Sequence, residues 1–164
     1  MREDVYKRHI DNFKKHWWFQ ARKNIIENSI KKFIRTKKIN ILDYGAGSGV
    51  NLIMLSNFGS VSIYEPHKKT KSYLKNVYKK KKFTYLNSIK NKKFDLIILA
   101  DVLEHIKKDY KIIKILERNL KKNGKILITV PAYQMLFTHK DTVLGHYRRY
   151  NVNLILKIFR NFAV

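Results

Sequence analysis

Five residues constrain this chain most: Gly45-Ala46-Gly47-Ser48-Gly49. Residues 38–43 before them read as a short strand, and residues 50–58 after them read as a helix. Glycines let a backbone turn tightly and approach a ligand closely. The start of the following helix leaves free N–H groups facing that ligand. A strand turning through glycines into a helix opens a βα unit, and the rest of the chain continues the alternation. Strands are expected at 61–65, 83–87, 94–100 and 125–130. The run 94–100 is almost continuously apolar, which suits a central parallel strand covered on both faces. Helices are expected at 18–37 (stripe Ile26, Ile30, Phe33, Ile34), at 68–80 (Leu74, Val77, Tyr78) and at 109–121 (Ile112, Ile113, Leu116, Leu120). The third of these is closed by Gly124. A last helix starts near Asn151 and carries Leu154, Ile155 and Ile158. The expectation is an α/β domain with right-handed crossovers and a mostly parallel sheet.

With 164 residues the chain is long enough for one domain with a real core. Residues 1–37 are expected to form a helical cap on a domain running from 38 to 164. There are no cysteines. This excludes a disulfide framework, a thiolate metal site, a CxxC redox centre and a cysteine nucleophile. The longest apolar run, 96–100, is far short of a membrane span, and the charged start at residues 1–4 lacks a signal-peptide core. A cytoplasmic location is expected.

Lys and Arg number 36 against 12 Asp and Glu, a formal net charge of +24. A surface that basic attracts polyanions weakly and in a salt-dependent way. Only 8 of the 36 are Arg, the residue best suited to bidentate phosphate and base contacts. Lys, Ile and Asn, all encoded by AT-rich codons, together supply 62 of 164 residues. Compositional drift therefore ranks ahead of dedicated nucleic-acid binding.

The glycine spacing narrows the ligand. A dinucleotide fingerprint needs a third glycine where Val50 stands, and no G-x-x-x-x-G-K-[ST] phosphate loop is present. Glu65 ends the second strand, where a carboxylate can accept hydrogen bonds from both hydroxyls of a ribose. A nucleoside without a phosphate requirement fits.

The segments Asp43-Tyr-Gly-Ala-Gly-Ser-Gly49, Glu65-Pro66, Phe94-Asp95 through Asp101-Val-Leu-Glu-His105, and Gly124 through Val130-Pro131 resemble the successive motifs of class I S-adenosylmethionine-dependent methyltransferases. His16-Trp17-Trp18-Phe19 and Gly145-His146-Tyr147-Arg148-Arg149-Tyr150 are similar to segments of one bacterial subgroup, mostly with unassigned acceptors. The resemblance implies a Rossmann-like, doubly wound sheet and S-adenosyl-L-methionine (SAM) as cofactor, with S-adenosyl-L-homocysteine (SAH) as product. The implied acceptor is a small molecule, a glycan or a lipid-linked group. The alternatives are a non-catalytic binding module and a nucleic-acid methyltransferase.

It also implies roles. Gly45, Ala46 and Gly47 approach the methionine moiety, Asp43 accepts from its ammonium, and Glu65 holds the ribose. Asn87 and Ser88 border the adenine, while Ala100 and Asp101 line the amino-acid side. Asp101 could equally cap the next segment, and Asn87 and Ser88 could be ordinary strand-end residues. His105 and His146 are candidate catalytic residues, with His105 the possible base for the acceptor's proton. Trp17, Trp18, Tyr133, His139, Arg148 and Arg149 are candidates for the acceptor side. Trp17, Trp18 and Phe19 could instead pack the N-terminal helix, and the two arginines could pair with buried carboxylates. No metal is expected, since no His/Asp cluster stands at ligand spacing in the sequence. Members of the class finish with a sixth and a seventh strand. This chain carries residues for five, so a shortened domain and association through the sheet edge beside the fifth strand are further expectations.

Overall fold

A computed structural model describes residues 17–34 and 38–160. Expectations for residues 1–16, 35–37 and 161–164, including the end of the first helix and most of the entry to a sixth strand, lie outside the described residues. The chain divides into two compact units, Met1–Ile89 and Lys90–Val164. The described strands make one five-stranded sheet, in the order β3-β2-β1-β4-β5.

The first unit opens with helix α1, Trp17–Phe33. Ile26 and Ile30, one helical turn apart, are fully buried. Phe33, expected on that stripe, is exposed in the last turn, with the Lys32 ammonium 5.3 Å from its ring centre. Strand β1 (Ile39–Tyr44), helix α2 (Leu52–Ser56), strand β2 (Gly59–Tyr64), helix α3 (Lys68–Val77) and strand β3 (Thr84–Leu86) follow. β1 pairs with β2 in parallel, Asp43 opposite Ile63 and Tyr44 opposite Tyr64. β2 pairs with β3, Tyr64 opposite Leu86. The carboxyl ends of all three strands are therefore level, and their loops leave at Gly45, Glu65 and Asn87 from one edge. α3 is shorter than its lysine-rich pattern suggests. Leu74 and Thr70 are buried, but Val77 is exposed.

The second unit holds β4 (Phe94–Ala100), a one-turn 3-10 helix (Leu103–His105), α4 (Asp109–Glu117) and β5 (Leu120–Thr129). β4 and β5 are parallel. Leu96, Ile97, Ile98 and Leu99 are essentially inaccessible, as the continuous apolar run requires, and each contributes about 1.5–3 kcal/mol through burial. One expectation is corrected here. The third expected helix ends at Glu117, not at 121. Leu120 belongs to β5, where it pairs with Phe94. The Phe94 N–H donates to the Asn119 carbonyl at 2.8 Å, and the Asn119 amide donates to the Lys92 carbonyl at 2.8 Å, so the ladder takes these residues before the helix can extend. The pairing then skips from Leu120 to Lys125. The left-handed residue of the excursion is Asn123, with φ 63, rather than Gly124.

The stretch after β5, expected as a plain polar loop, contains a 3-10 turn (Gln134–Leu136) and helix α5 (His139–Leu144). α6 (Val152–Ile158) follows, capped by the Asn151 side chain, which accepts from the Leu154 N–H. α5 starts in a capping box: Thr138 accepts from the third helical N–H while Asp141 accepts from the Thr138 N–H.

Candidate functional site

In the first unit the glycine turn is built onto the end of β1. The Gly45 N–H donates to the Tyr64 carbonyl at 2.7 Å, tying the turn to β2. The Tyr44 and Tyr64 rings stack with centres 4.9 Å apart, and burial pushes the Tyr44 hydroxyl up to about 12. Gly49 has φ +75, and a Cβ there would lie 2.6 Å from Leu74 Cδ2. It needs glycine for both backbone and space. Gly47 has φ +53 but open space around a would-be Cβ, the nearest atom being the Gly45 carbonyl oxygen at 4.0 Å. A ligand can lie against that face.

Glu65 closes the turn from β2. One carboxylate oxygen accepts from the Gly47 N–H at 3.0 Å and the other from the His67 N–H at 2.9 Å. Asp43 is 2% exposed. Burial first, and the Glu65 charge second, push its carboxyl up to about 7. At the end of β3, Asn87 accepts from the Lys71 ammonium at 2.7 Å. Lys71 also donates to the Leu86 carbonyl at 2.6 Å. Asn87 and Ser88 are both exposed. Asp43, Gly45, Ala46, Gly47 and Glu65 thus come together at one strand edge, with Asn87 and Ser88 following the third strand of that edge. Trp17 and Trp18 are exposed at the start of α1, their rings edge to face with centres 6.0 Å apart.

In the second unit Ala100 ends β4, and Asp101 follows in the left-handed region at φ 54. The Asp101 N–H donates to the Thr129 carbonyl at 3.0 Å, and its carboxylate accepts from the Thr129 hydroxyl at 2.7 Å. These two bonds hold a backbone conformation that costs a non-glycine residue about 1–3 kcal/mol. Tyr133 is likewise left-handed, at φ 60, and exposed. His139 is exposed at the start of α5.

The His105 and His146 rings lie edge to face, centres 4.6 Å apart. Although His105 is exposed, partial desolvation of its ring, and then the neighbouring His146, lower its pKa against a backbone hydrogen bond to Gly145. His146 Nδ1 bonds Asp141 Oδ1 at 2.9 Å. Asp141 is buried and heavily bonded, with Arg149 Nε at 3.0 Å, Arg149 Nη2 at 2.8 Å and the Thr138 N–H at 2.9 Å. Arg149 above all holds its carboxyl well below the usual range. Arg148 pairs with Asp109 and donates to the Lys107 carbonyl at 2.9 Å. Both arginines therefore have carboxylate partners within the unit. Buried Tyr150 donates to Asp109 and to the Leu103 carbonyl, each at 3.1 Å.

Sequence reasoning passed over the roles of Asp141 and Glu104. Thr138-x-x-Asp141, a capping-box pattern, could have flagged the first. It also saw no His/Asp cluster at ligand spacing; in the fold, ligand atoms of Glu104, His105 and His146 lie within 4.8 Å of one another. Forty residues lie between His105 and His146 in the sequence, so spacing along the chain gives no sign of it.

Residues 14–159 match the family described as the methyltransferase domain. No curated protein sequence matches the chain. Among solved structures, the N-methyltransferase NodS of Bradyrhizobium japonicum WM9, in complex with SAH, is similar with a TM-score of 0.71 and 13% identity, over 92% of this chain and 77% of that one. The YcgJ protein of Bacillus subtilis is similar with a TM-score of 0.70 and 17% identity, over 82% and 65%. The [4+2]-cyclase SpnF follows at 0.71 and 15%, over 90% and 59%. At such identities the likeness is one of fold. The chain spans slightly less than two thirds of the length of the two Bacillus structures that head the comparison, 66% and 65%.

Proposed function

The chain belongs to the methyltransferase-domain family, and from that premise we propose that it binds SAM and moves the sulfonium methyl to a nucleophilic atom of a small-molecule, glycan or lipid-linked acceptor, releasing SAH. The observation that carries this reading is the closed turn of the first unit. The Glu65 carboxylate bridges two backbone N–H groups and keeps further lone pairs for the two hydroxyls of a ribose. Gly45, Ala46 and Gly47 offer bare backbone to the methionine moiety, and Asp43 accepts from its ammonium. Asn87, steadied by Lys71, and Ser88 border the adenine. Ala100 and Asp101 complete the amino-acid side.

Transfer is an in-line displacement. The acceptor's lone pair forms the new bond to the methyl carbon as the carbon–sulfur bond breaks, the electron pair stays on sulfur, and the acceptor loses its proton. The methyl is already activated, so the protein mainly aligns the partners and excludes water. His105 and His146 are the side chains we assign to acceptor activation. Trp17 and Trp18 in the first unit, and Tyr133 and His139 in the second, are the residues we assign to acceptor contact. Arg148 and Arg149, already ion-paired, act there by holding the acceptor segment in shape. We assign α1 to a cap on a SAM-binding domain that begins at residue 38. No described helix is long and apolar enough to cross a membrane. The charge of +24 supports loose, salt-sensitive contact with polyanions as a side property.

Calorimetric titration with SAM and SAH tests the reading. Saturable binding of both is expected, with loss in Glu65→Ala and in Gly47→Val, whose side chain would fill the open face of the turn. Unchanged affinity in both variants would overturn the site assignment.

A further inference from the structure

Beyond a pair of histidines near an acceptor, the second unit holds a third ligating group aimed at the same point. We propose that Glu104, His105 and His146 bind a divalent cation of the zinc, manganese or cobalt class, which presents an open coordination position to an oxygen of the methyl acceptor. The role at the acceptor rests on the methyltransferase reading above; the binding of the ion does not.

The donor set is two imidazoles and one carboxylate, with no thiolate, and suits borderline divalent ions. Its ligand atoms lie within 4.8 Å of one another, so small side-chain rotations bring them to bonding distance of one ion. The three residues also differ in burial in a useful way. Glu104 is 1% exposed and supplies negative charge from the interior. His146 is partly covered and His105 is open to solvent, which leaves a face where water or a substrate oxygen can enter.

The surroundings resemble those of built metal ligands. His146 bonds Asp141 through Nδ1. With the proton on that nitrogen, the Nε2 lone pair is left for a metal, as in carboxylate–histidine–metal triads. Asp141 is itself locked by two bonds from Arg149 and one from the Thr138 N–H. The two segments that supply the ligands are laced together. The Tyr147 N–H donates to the Glu104 carbonyl at 2.8 Å, and the Tyr150 hydroxyl donates to the Leu103 carbonyl at 3.1 Å. A site made of distant parts of the chain is thereby held in place before any ion arrives.

A bound cation would lower the pKa of a coordinated hydroxyl. The acceptor's proton then leaves to solvent, and the oxygen lone pair attacks the methyl carbon. This makes oxygen acceptors the substrate class.

The test uses the full chain, freed of any affinity tag and of adventitious metal by chelation. Cobalt(II) is added, followed by calorimetry and visible absorption, and zinc(II) is then used to displace it. One ion per chain with cobalt d–d bands is expected. Glu104→Gln, His105→Gln and His146→Gln should each weaken binding more than about tenfold, and the surface control His67→Gln, exposed in the first unit, should leave it intact. His105 is exposed, so its variant keeps the test sound if the Glu104 change disturbs folding. No binding by the folded chain, or binding that survives all three ligand variants, would overturn the proposal. SAM affinity measured on the same samples separates this failure from failure of the methyltransferase reading.

Discussion

Asp43→Asn isolates the electrostatic cost of the glycine-turn site. Asp43 lies at 2% exposure, and its carboxyl is pushed from 3.8 to about 7, by burial and then by Glu65. In the unfolded chain it titrates near its ordinary value. Between these two values the folded state binds more protons than the unfolded one, so this group lowers stability as pH rises. The penalty is small near pH 4 and complete above pH 7, where it reaches about 4 kcal/mol. Roughly 2–3 kcal/mol of it develops between pH 5 and pH 8. That is a large fraction of a typical domain's stability. Burial of Ile41 and Leu42 in the same strand offsets it at about 1.5–3 kcal/mol each.

Asn has the same shape and no charge. Urea unfolding of both proteins at pH 5, 6, 7 and 8 should show the wild type losing roughly 2–3 kcal/mol more than the variant over that range. Other titrating groups cancel in the comparison. Parallel pH profiles would refute the reasoning. The ligand supplies a second arm: an ammonium beside Asp43 favours the charged form, so SAM binding at pH 6 should release protons from the wild type and not from Asp43→Asn. Calorimetry in buffers of different ionisation enthalpy reads this directly.

Two further substitutions test the framework around the sites. Gly49→Ala combines a strained backbone at φ +75 with a Cβ 2.6 Å from Leu74 Cδ2, and should cost about 3 kcal/mol in urea unfolding. Tyr150→Phe removes the hydroxyl bonded to Leu103 and Asp109; a loss of about 1–2 kcal/mol is expected, with SAM affinity unchanged.

Much of this molecule is legible in its sequence because the signals are local. The glycine turn, the apolar run of β4 and the Asn151 cap each depend on a few neighbouring residues. The meeting of Asp43, the glycines and Glu65 is readable for the same reason, since they end adjacent strands of a βα repeat. What escaped depends on distant partners. The third expected helix stops early because β4 captures Asn119 and Leu120 across the ladder. The meeting of Glu104 and His105 with His146 rests on hydrogen bonds between segments some forty residues apart. Arg148 and Arg149 could not be assigned from sequence, because a guanidinium beside a buried carboxylate and one awaiting a ligand look alike there.

The grip of Glu65 on the Gly47 N–H has a consequence in time as well as in shape. A glycine-rich turn is among the most entropically costly segments to order, and here that ordering is completed as the domain folds. Under the proposed SAM-binding role, an incoming molecule would meet a turn that needs no rearrangement before capture. The Gly47 amide should accordingly exchange its hydrogen slowly even in the bare protein, on the clock of local opening of the Glu65 carboxylate.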